Sequence, residues 1–303
     1  MRILVIFGFT ILLCALAARW VGIEFRLSAA SNYHLEVPMK GPQPFHQHSI
    51  WDSGKAEFCV YSSKLSKYGI ERKFETDMIT IREGFNPLRM TKADDPNMDD
   101  LEPVFKMNKS RKIPTGIYSY SQTLSIFVSR TDPARMIKQA FTSADGCGMS
   151  YAEIRETNVG LKGDFYSYWE KGVHGSQEFS EKGLISYDQM VLYLRSKDLK
   201  TFKRERIRML ESVFTSYQRD LQIYDCEIIK MGEANMTVSG SLVPSHHIQL
   251  RFGSFVENMN FGILPTQPLL RWKHHDGSEE VLKSLRYLYY WELIKPGDRE
   301  RIL

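Results

Sequence analysis

The chain has 303 residues, of which 43% are hydrophobic and 25% are charged, with 20 glycines and 12 prolines. This balance excludes a disordered, a collagen-like and a plain coiled-coil protein, and the length allows a large core without disulfides. The net charge of +4, from 40 basic and 36 acidic residues, is too small and dispersed for us to expect a nucleic-acid partner.

The N-terminus carries an export signal or a membrane anchor. Residues 3–18 are uncharged and apolar between Arg2 and Arg19, and they fall short of the ~20 residues that cross a bilayer. Residues 15–17 read Ala-Leu-Ala, which is a signal-peptide cleavage pattern, while residues 20–23 could instead lengthen an uncleaved anchor. We predict a signal peptide or N-terminal membrane anchor over residues 1–18. The protein is then exported to the periplasm or cell envelope, either secreted or membrane-anchored.

Residues 19–50 are predicted to be a flexible linker. They contain Pro38, Gly41, Pro42 and Pro44 and show little hydrophobic periodicity, as a spacer between a membrane and a folded body would. The folded body is expected over residues 51–303 as a β-rich domain, either in one piece or split near residue 161.

Alternation of apolar and polar residues is the main signal in this body. Residues 116–128 alternate most clearly and predict a strand with one buried face, formed by Tyr118, Tyr120, Leu124, Ile126 and Val128. Shorter strands are predicted at residues 57–62, 77–82, 104–107, 165–170, 236–242 and 248–252. Glycines and prolines separate these runs, so we predict a mainly β fold, a curved antiparallel sheet or incomplete β-barrel.

Only one or two short helices are expected. Ser186 and Gln189 have capping-box spacing and predict the start of a short helix. Residues 132–141 are predicted to hold one or two helical turns. Residues 200–221 fit a helix or a strand, with strand favoured, and residues 285–293 are predicted to be a strand.

Histidine and cysteine patterns do not predict a metal or cofactor. The paired histidines lack the spacing of a third ligand, no Cys-x-x-Cys pair occurs, and nucleotide-binding glycine loops are absent from the sequence. The histidine pairs are His46 with His48, His246 with His247, and His274 with His275. Cys59, Cys147 and Cys226 fit either one disulfide and a free thiol or three free thiols.

The segment Asp145-Gly146-Cys147-Gly148 is a candidate catalytic site. Glycines on both sides of a thiol would open an approach for substrate, but a nucleophile needs a base, which only folding could bring from His174 or His246. The alternative is a tight turn that holds a structural cysteine.

Four segments, taken together, resemble a known family. They are residues 51–57, 114–121, 142–148 and 167–171. In this order they resemble a family of exported bacterial proteins often labelled septum formation inhibitor, over about residues 51–195. The label itself has no support here, because nothing in the sequence resembles a nucleotide pyrophosphatase site. The resemblance implies export and a β-rich body and assigns no catalytic residue, and Gly146 stands where that family has an aromatic residue.

Three functions follow as hypotheses. The leading one is a non-catalytic envelope protein that binds a lipid-like or other hydrophobic ligand in a partly filled β cavity. The alternatives are a structural or protein-binding envelope component and a hydrolase or thiol enzyme centred on Cys147. The predicted ligand-binding residues are Tyr118, Tyr120, Phe165, Trp169, Tyr287 and Trp291. An uncleaved N-terminal segment would also contact the membrane.

Overall fold

A computed structural model describes residues 35–36, 44–95 and 97–302 of the chain. The predicted signal peptide or anchor and most of the predicted linker lie outside these residues. None of the helices among the described residues combines the length and apolar composition that a membrane-spanning helix needs.

The fold is mainly β, as the sequence predicts, and the described residues contain one 16-stranded sheet. The strands are β1 (Ala56–Lys67), β2 (Ile70–Asn86), β3 (Thr91–Lys92), β4 (Glu102–Pro114), β5 (Ser119–Ser129), β6 (Met136–Ala144), β7 (Met149–Thr157), β8 (Gly160–Tyr166), β9 (His174–Phe179), β10 (Ile185–Ser186), β11 (Arg204–Leu210), β12 (Ile223–Val238), β13 (Ser241–Phe252), β14 (Phe255–Gly262), β15 (Leu269–Lys273) and β16 (Glu279–Leu288). The helices α1 (Met190–Arg195) and α2 (Asp298–Ile302) are short.

The chain enters the sheet in its middle. From β1 it runs outward through β2 and then β4 to β9, which forms one edge, while the short β3 pairs only with the end of β2. It then crosses to the other edge at β10 and returns through β11 to β16, which pairs with β1. Neighbouring strands of the sheet are antiparallel, except that β10 is parallel to β11. β8 pairs with both neighbours through Leu161, so the sheet continues through the position near which a domain split was considered.

The sheet must curl until its two edges approach each other. β9 ends at Phe179 and β10 begins at Ile185, a connection that reaches at most about 20 Å. A flat path of this many strands would be roughly 65 Å wide at the usual strand spacing. The gap is bridged by residues 211–222: Gln177 and Leu221 exchange two hydrogen bonds of 3.0 Å, and the Val173 N–H donates to the Gln218 carbonyl (3.1 Å). The result is an incomplete barrel.

The helix α1 lies inside this barrel. The Ser186 side chain accepts from the Asp188 N–H, and the Gln189 side chain accepts from the Ser186 N–H at 3.0 Å, so the predicted capping box is confirmed. A 3₁₀ turn (Tyr187–Gln189) follows, and then α1, whose six residues are all buried. A helix without a solvent-exposed face is typical of a protein core, and α1 shares one apolar cluster with strands from both halves of the sheet.

One end of the barrel is filled, and we call it the closed end. Two 3₁₀ turns, Phe45–Gln47 and Ser49–Asp52, bury Phe45 and Trp51 there. The Arg195 guanidinium at the end of α1 stacks 4.2 Å above the Phe45 ring and makes two hydrogen bonds of 2.7 Å with Glu57. Residues 44–50, which the linker prediction included, pack here as part of the folded body.

The clearest strand prediction, over residues 116–128, is confirmed from Ser119 onward by β5. Its residues Tyr120, Leu124, Ile126 and Val128 are buried, as the alternating pattern requires. Tyr118, which the pattern predicts on the buried face, lies half-buried in the turn before this strand. The helical turns predicted over residues 132–141 are wrong. Asp132 instead forms a tight turn, accepting from the Ala134 and Arg135 N–H groups through its side chain and carbonyl, and β6 follows.

Three other strand predictions place the boundaries wrongly. Residues 236–242 span the hairpin turn at Ser239 and Gly240, whose positive φ values of 48° and 84° reverse the chain. Residues 165–170 run past the end of β8 at Tyr166. Residues 285–293 continue past β16 into a 3₁₀ turn, Tyr290–Glu292.

Candidate ligand-binding cavity

Opposite the closed end, the barrel encloses a cavity of about 580 Å³, which we call the open-end cavity. Strands β1, β4 and β16, residues 211–219 and the turn before β16 supply its walls. Its apolar lining is Leu65, Met78, Met107, Leu124, Val191, Met209, Phe214, Tyr224, Phe252, Phe255, Leu269 and Trp272. Its ionisable lining is Lys109, Arg111, Tyr187, Asp188, Glu211, Tyr217, Arg219, His274, His275, Asp276 and Glu280.

Two basic residues enter this cavity because they share a strand face with an apolar residue. Met107, Lys109 and Arg111 are spaced two apart on β4, so their side chains point to the same, inner side. The Lys109 ammonium lies 2.7 Å from both carboxylate oxygens of Glu280 on β16. Burial raises the pKa of Glu280, but the Lys109 charge outweighs it and the net pKa is lowered. Lys109 and Glu280 therefore neutralise each other.

Arg111 is in a different position. Its guanidinium stacks 4.0 Å from the Phe214 ring centroid, and its Nε donates to Gln122 Oε1 at 2.8 Å. It makes no ion pair with any described residue. Burial lowers the pKa of Arg111, which remains far above neutrality for a guanidinium. A partly buried cation thus faces the cavity without a carboxylate in salt-bridge contact, and the charges of Glu280, Asp188 and Asp276 act on it from further away, raising its pKa against the effect of burial.

A buried carboxylate, Glu257, lies directly behind the cavity wall. It accepts hydrogen bonds from Trp272 Nε1 (2.8 Å), the Tyr187 hydroxyl (2.8 Å) and His275 Nδ1 (2.6 Å). The Tyr187 hydroxyl gives its one proton to Glu257, so His274 Nδ1, 2.7 Å away, must donate to that hydroxyl. Burial raises the pKa of Glu257, but the bonds and charge of His274, with His275 and Trp272, outweigh it and bring the pKa to about 2.

The other acidic side chains of the lining also have donors within the protein. Asp188 accepts from Ser212 Oγ (2.6 Å), the Val213 N–H (2.9 Å) and Gln139 Nε2 (2.6 Å). Burial raises the pKa of Asp188 despite these bonds. Glu211 pairs with Arg219, and Asp276 accepts from Ser278. Asp188 also fixes residues 211–222 to the start of α1, which sets Phe214 beneath Arg111.

Three of the predicted ligand-binding residues lie at the open end but outside the cavity lining. Tyr120 is buried and Tyr118 half-buried, and the Tyr68 hydroxyl hydrogen-bonds to both. Trp169 is exposed in the loop after β8 and packs against Tyr168, with ring centroids 5.3 Å apart.

The other three predicted residues lie elsewhere. Phe165 is fully buried on β8 within the main core. Tyr287 is buried toward the closed end, where its hydroxyl donates to Glu57 at 2.8 Å. Trp291 is exposed in the 3₁₀ turn after β16. The structure does not bring the six residues together in one site.

Cys147 is exposed in the turn between β6 and β7. Asp145 Oδ1 accepts from the Cys147 N–H (2.7 Å) and the Gly148 N–H (3.1 Å), so that carboxylate holds the turn. His246 is buried on β13, 3.3 Å from Glu233, and His174 begins β9. The described residues show no histidine in contact with the thiol. Cys59, Cys147 and Cys226 are all free thiols.

Sequence reasoning missed the charged part of the cavity. A signal was present in β4, where basic residues follow Met107 at the inward-facing positions of an alternating strand. Their partners were beyond reach, because Glu280 is 171 residues from Lys109 and no local pattern connects them. Across the described residues, no group of three or more His, Cys, Asp or Glu side chains is arranged to hold a metal ion.

No family model and no curated protein matches this chain. Among solved structures, the chain is similar to a β-barrel-like protein of a domain of unknown function, DUF1849, from Brucella abortus. The TM-score is 0.45 at 8% sequence identity, and the match covers 77% of this chain and 98% of the other.

Proposed function

We propose that this protein is a non-catalytic binding protein of the cell envelope. Its ligand is a small amphipathic molecule with an apolar body and an anionic head group. One observation carries the proposal: Arg111 faces the open-end cavity without an ion pair among the described residues. The export of the protein rests on the apolar N-terminal stretch at residues 3–18.

The cavity suits the apolar part of such a ligand. Its volume of about 580 Å³ lies within the ~300–1,000 Å³ of small-molecule sites. Met78, Met107 and Leu124 are buried side chains of its wall, and methionines adapt to ligands of varied shape. Burial of an alkyl chain against them is favourable by ~0.8 kcal/mol for each CH₂ group.

The charges favour an anionic rather than a cationic head group. Each carboxylate of the lining already accepts hydrogen bonds from a lysine, an arginine or other donors of the protein. Arg111 uses its Nε on an amide oxygen and one terminal N–H on the Phe214 carbonyl (3.4 Å), and it holds its guanidinium plane against the Phe214 ring. A carboxylate or phosphate could accept from the remaining N–H groups in the fork geometry that guanidinium offers.

The test is a competition assay with a fluorescent polyene fatty acid as the probe. We expect hexadecanoate to displace the probe, and we expect Arg111→Met to weaken hexadecanoate binding by about 10- to 100-fold, the usual value of one charge-assisted hydrogen bond or pair. Hexadecanol, which has the same chain without the charge, should bind both proteins alike. The matched control is Arg206→Met, because Arg206 is exposed on β11.

Thermal unfolding of each variant separates lost binding from lost folding. Absence of probe binding to the native protein would refute the proposal. Equal hexadecanoate affinity of the native and Arg111→Met proteins would also refute it, since the carrying observation would then have no consequence.

A further inference from the structure

The open end of the barrel carries a second feature, a band of exposed aromatic and aliphatic side chains. Antiparallel strands bring the β1–β2, β4–β5, β6–β7 and β8–β9 connections to this same end. The band, which we call the aromatic rim, consists of Tyr68, Ile117, Tyr118, Met149, Tyr168 and Trp169. Ile117 is 100% exposed and Met149 74% exposed.

The rim is built by direct contacts between the connections. The Tyr68 hydroxyl lies 3.2 Å from the Tyr118 hydroxyl, which joins the first connection to the second. Tyr68 has a φ of 57°, a conformation that aromatic residues seldom adopt. Tyr68 and Gly69, both with positive φ, form the two-residue turn between β1 and β2, which holds the Tyr68 ring at the tip of the hairpin.

Glycines of the Cys147 turn continue the rim. A Cβ on Gly146 would lie 3.6 Å from Tyr118 Cβ, and one on Gly148 would lie only 2.0 Å from the Tyr168 ring. Gly148 therefore lets the Tyr168 ring cover the turn, and Tyr168 in turn packs on Trp169. This arrangement gives the unusual glycine-flanked segment a role that does not involve its thiol.

The rim also carries positive charge. The Lys67 ammonium lies 4.1 Å from the Tyr120 ring centroid, and Lys112 and Lys171 are exposed. These three lysines make no ion pair with any described residue. Asp145 is engaged with its own turn, and the exposed Glu71 lies between Lys64 and Lys73. Glu170 is a further exposed acidic residue of these connections. The local balance is positive beside an apolar and aromatic surface.

We propose that the aromatic rim docks on the surface of an anionic lipid bilayer. Ile117 and Met149 would enter the boundary between head groups and acyl chains, the tyrosine and tryptophan rings would lie at head-group depth, and the lysines would contact anionic head groups. The predicted export signal or anchor at residues 3–18 brings the chain to a membrane independently of the rim.

The rim adjoins the open-end cavity. Tyr217 lines the cavity, and its hydroxyl donates to the Lys171 carbonyl in the β8–β9 loop at 2.6 Å. Docking would therefore turn the cavity mouth toward lipids, an orientation that serves the protein if the cavity binds the ligand proposed above. A second copy of the chain is a poorer occupant, since a symmetric face-to-face contact would oppose the lysines of both copies.

The experiment uses Cys147 as the reporter position, because Cys59 and Cys226 are buried. A polarity-sensitive thiol dye is attached at Cys147 in the full chain carrying Cys14→Ser, and vesicles of phosphatidylcholine with phosphatidylglycerol are added. We expect dye emission to rise and shift to the blue, with weaker binding to vesicles of phosphatidylcholine alone. In the double variant Ile117→Asp with Met149→Asp, the affinity for these vesicles that is read from the dye emission should fall by about tenfold or more.

The control variant is Leu88→Asp, because Leu88 is 94% exposed in the turn after β2, away from the rim. No dye response of the native chain, or an equal response of the rim variant, would overturn docking. A response that depends on protein concentration without vesicles would assign the rim to self-association instead. Rim variants should keep their affinity for free hexadecanoate, so a failed docking test is distinguishable from a failed ligand test.

Discussion

The two ends of the barrel differ in how single buried ionisable residues are paired. At the closed end, Arg195 and Glu57 are both fully buried and bonded side by side, with Tyr287 donating to the same carboxylate. This pair ties α1 to β1 and leaves no uncompensated charge. At the open end, Arg111 lacks such a partner, which is why we place ligand recognition there and not at the closed end.

Glu257 makes the free energy of unfolding depend on pH in the acidic range. Its folded pKa of about 2 lies below the ordinary value of 4.5, so its stabilising contribution is complete above about pH 5 and is lost as the pH falls toward 2. The difference corresponds to about 3 kcal/mol of unfolding free energy. Urea unfolding of the native protein at pH 7 and pH 3 should show a loss of about 2 kcal/mol from Glu257, because the folded carboxyl is still mostly ionised at pH 3.

The matched variants for that measurement are Glu257→Gln and Glu71→Gln. Glu257→Gln should lower stability at pH 7 and flatten the dependence on pH, whereas Glu71, exposed near the β1–β2 turn, should change neither. A native-like pH dependence in Glu257→Gln would show that another carboxylate is responsible.

At the scale of elements, residues 211–222 take the place of a hydrogen-bond ladder between the two edges of the sheet. Gln177 on β9 satisfies both the N–H and the carbonyl of Leu221, so Gln177→Ala would leave two backbone groups without partners. We expect a loss of ~1–3 kcal/mol and faster amide hydrogen exchange in β9, with β1 unchanged. Glu178→Ala is the control, since Glu178 is the exposed neighbour. Equal rates of amide hydrogen exchange in β9 of both variants would mean that other contacts hold this edge of the sheet.

The elements differ in how far the sequence could predict them. β5 was predictable because one face meets the core and the other does not, which leaves a local alternating pattern. Residues 211–222 were not, because they follow β11 without regular structure and are held by the side chains of Asp188, Gln177 and Gln218. Alternation in the sequence shows which residues of one strand are buried. The cavity depends instead on pairs of residues that are far apart in the sequence, such as Lys109 and Glu280.

The whole molecule combines a filled closed end with an open end that is both charged and apolar. The sheet curls because its edge strands are consecutive in the chain, and α1 fills only part of the interior. Residues 44–52 pack into the closed end, while the corresponding space at the open end remains as the cavity. Among the described residues, the barrel therefore has its cavity at the same end as the rim.

Ligand occupancy is best measured on protein from its own host. We expect native mass spectrometry of the envelope fraction to show the chain with a lipid-sized adduct, and the adduct should be depleted in Arg111→Met and kept in Arg206→Met. The adduct should also bear an acidic head group when it is released and fragmented. A bare native chain would favour the structural alternative. Because the measured mass includes or lacks residues 1–17, the same spectrum tests whether the predicted signal peptide is removed after Ala17.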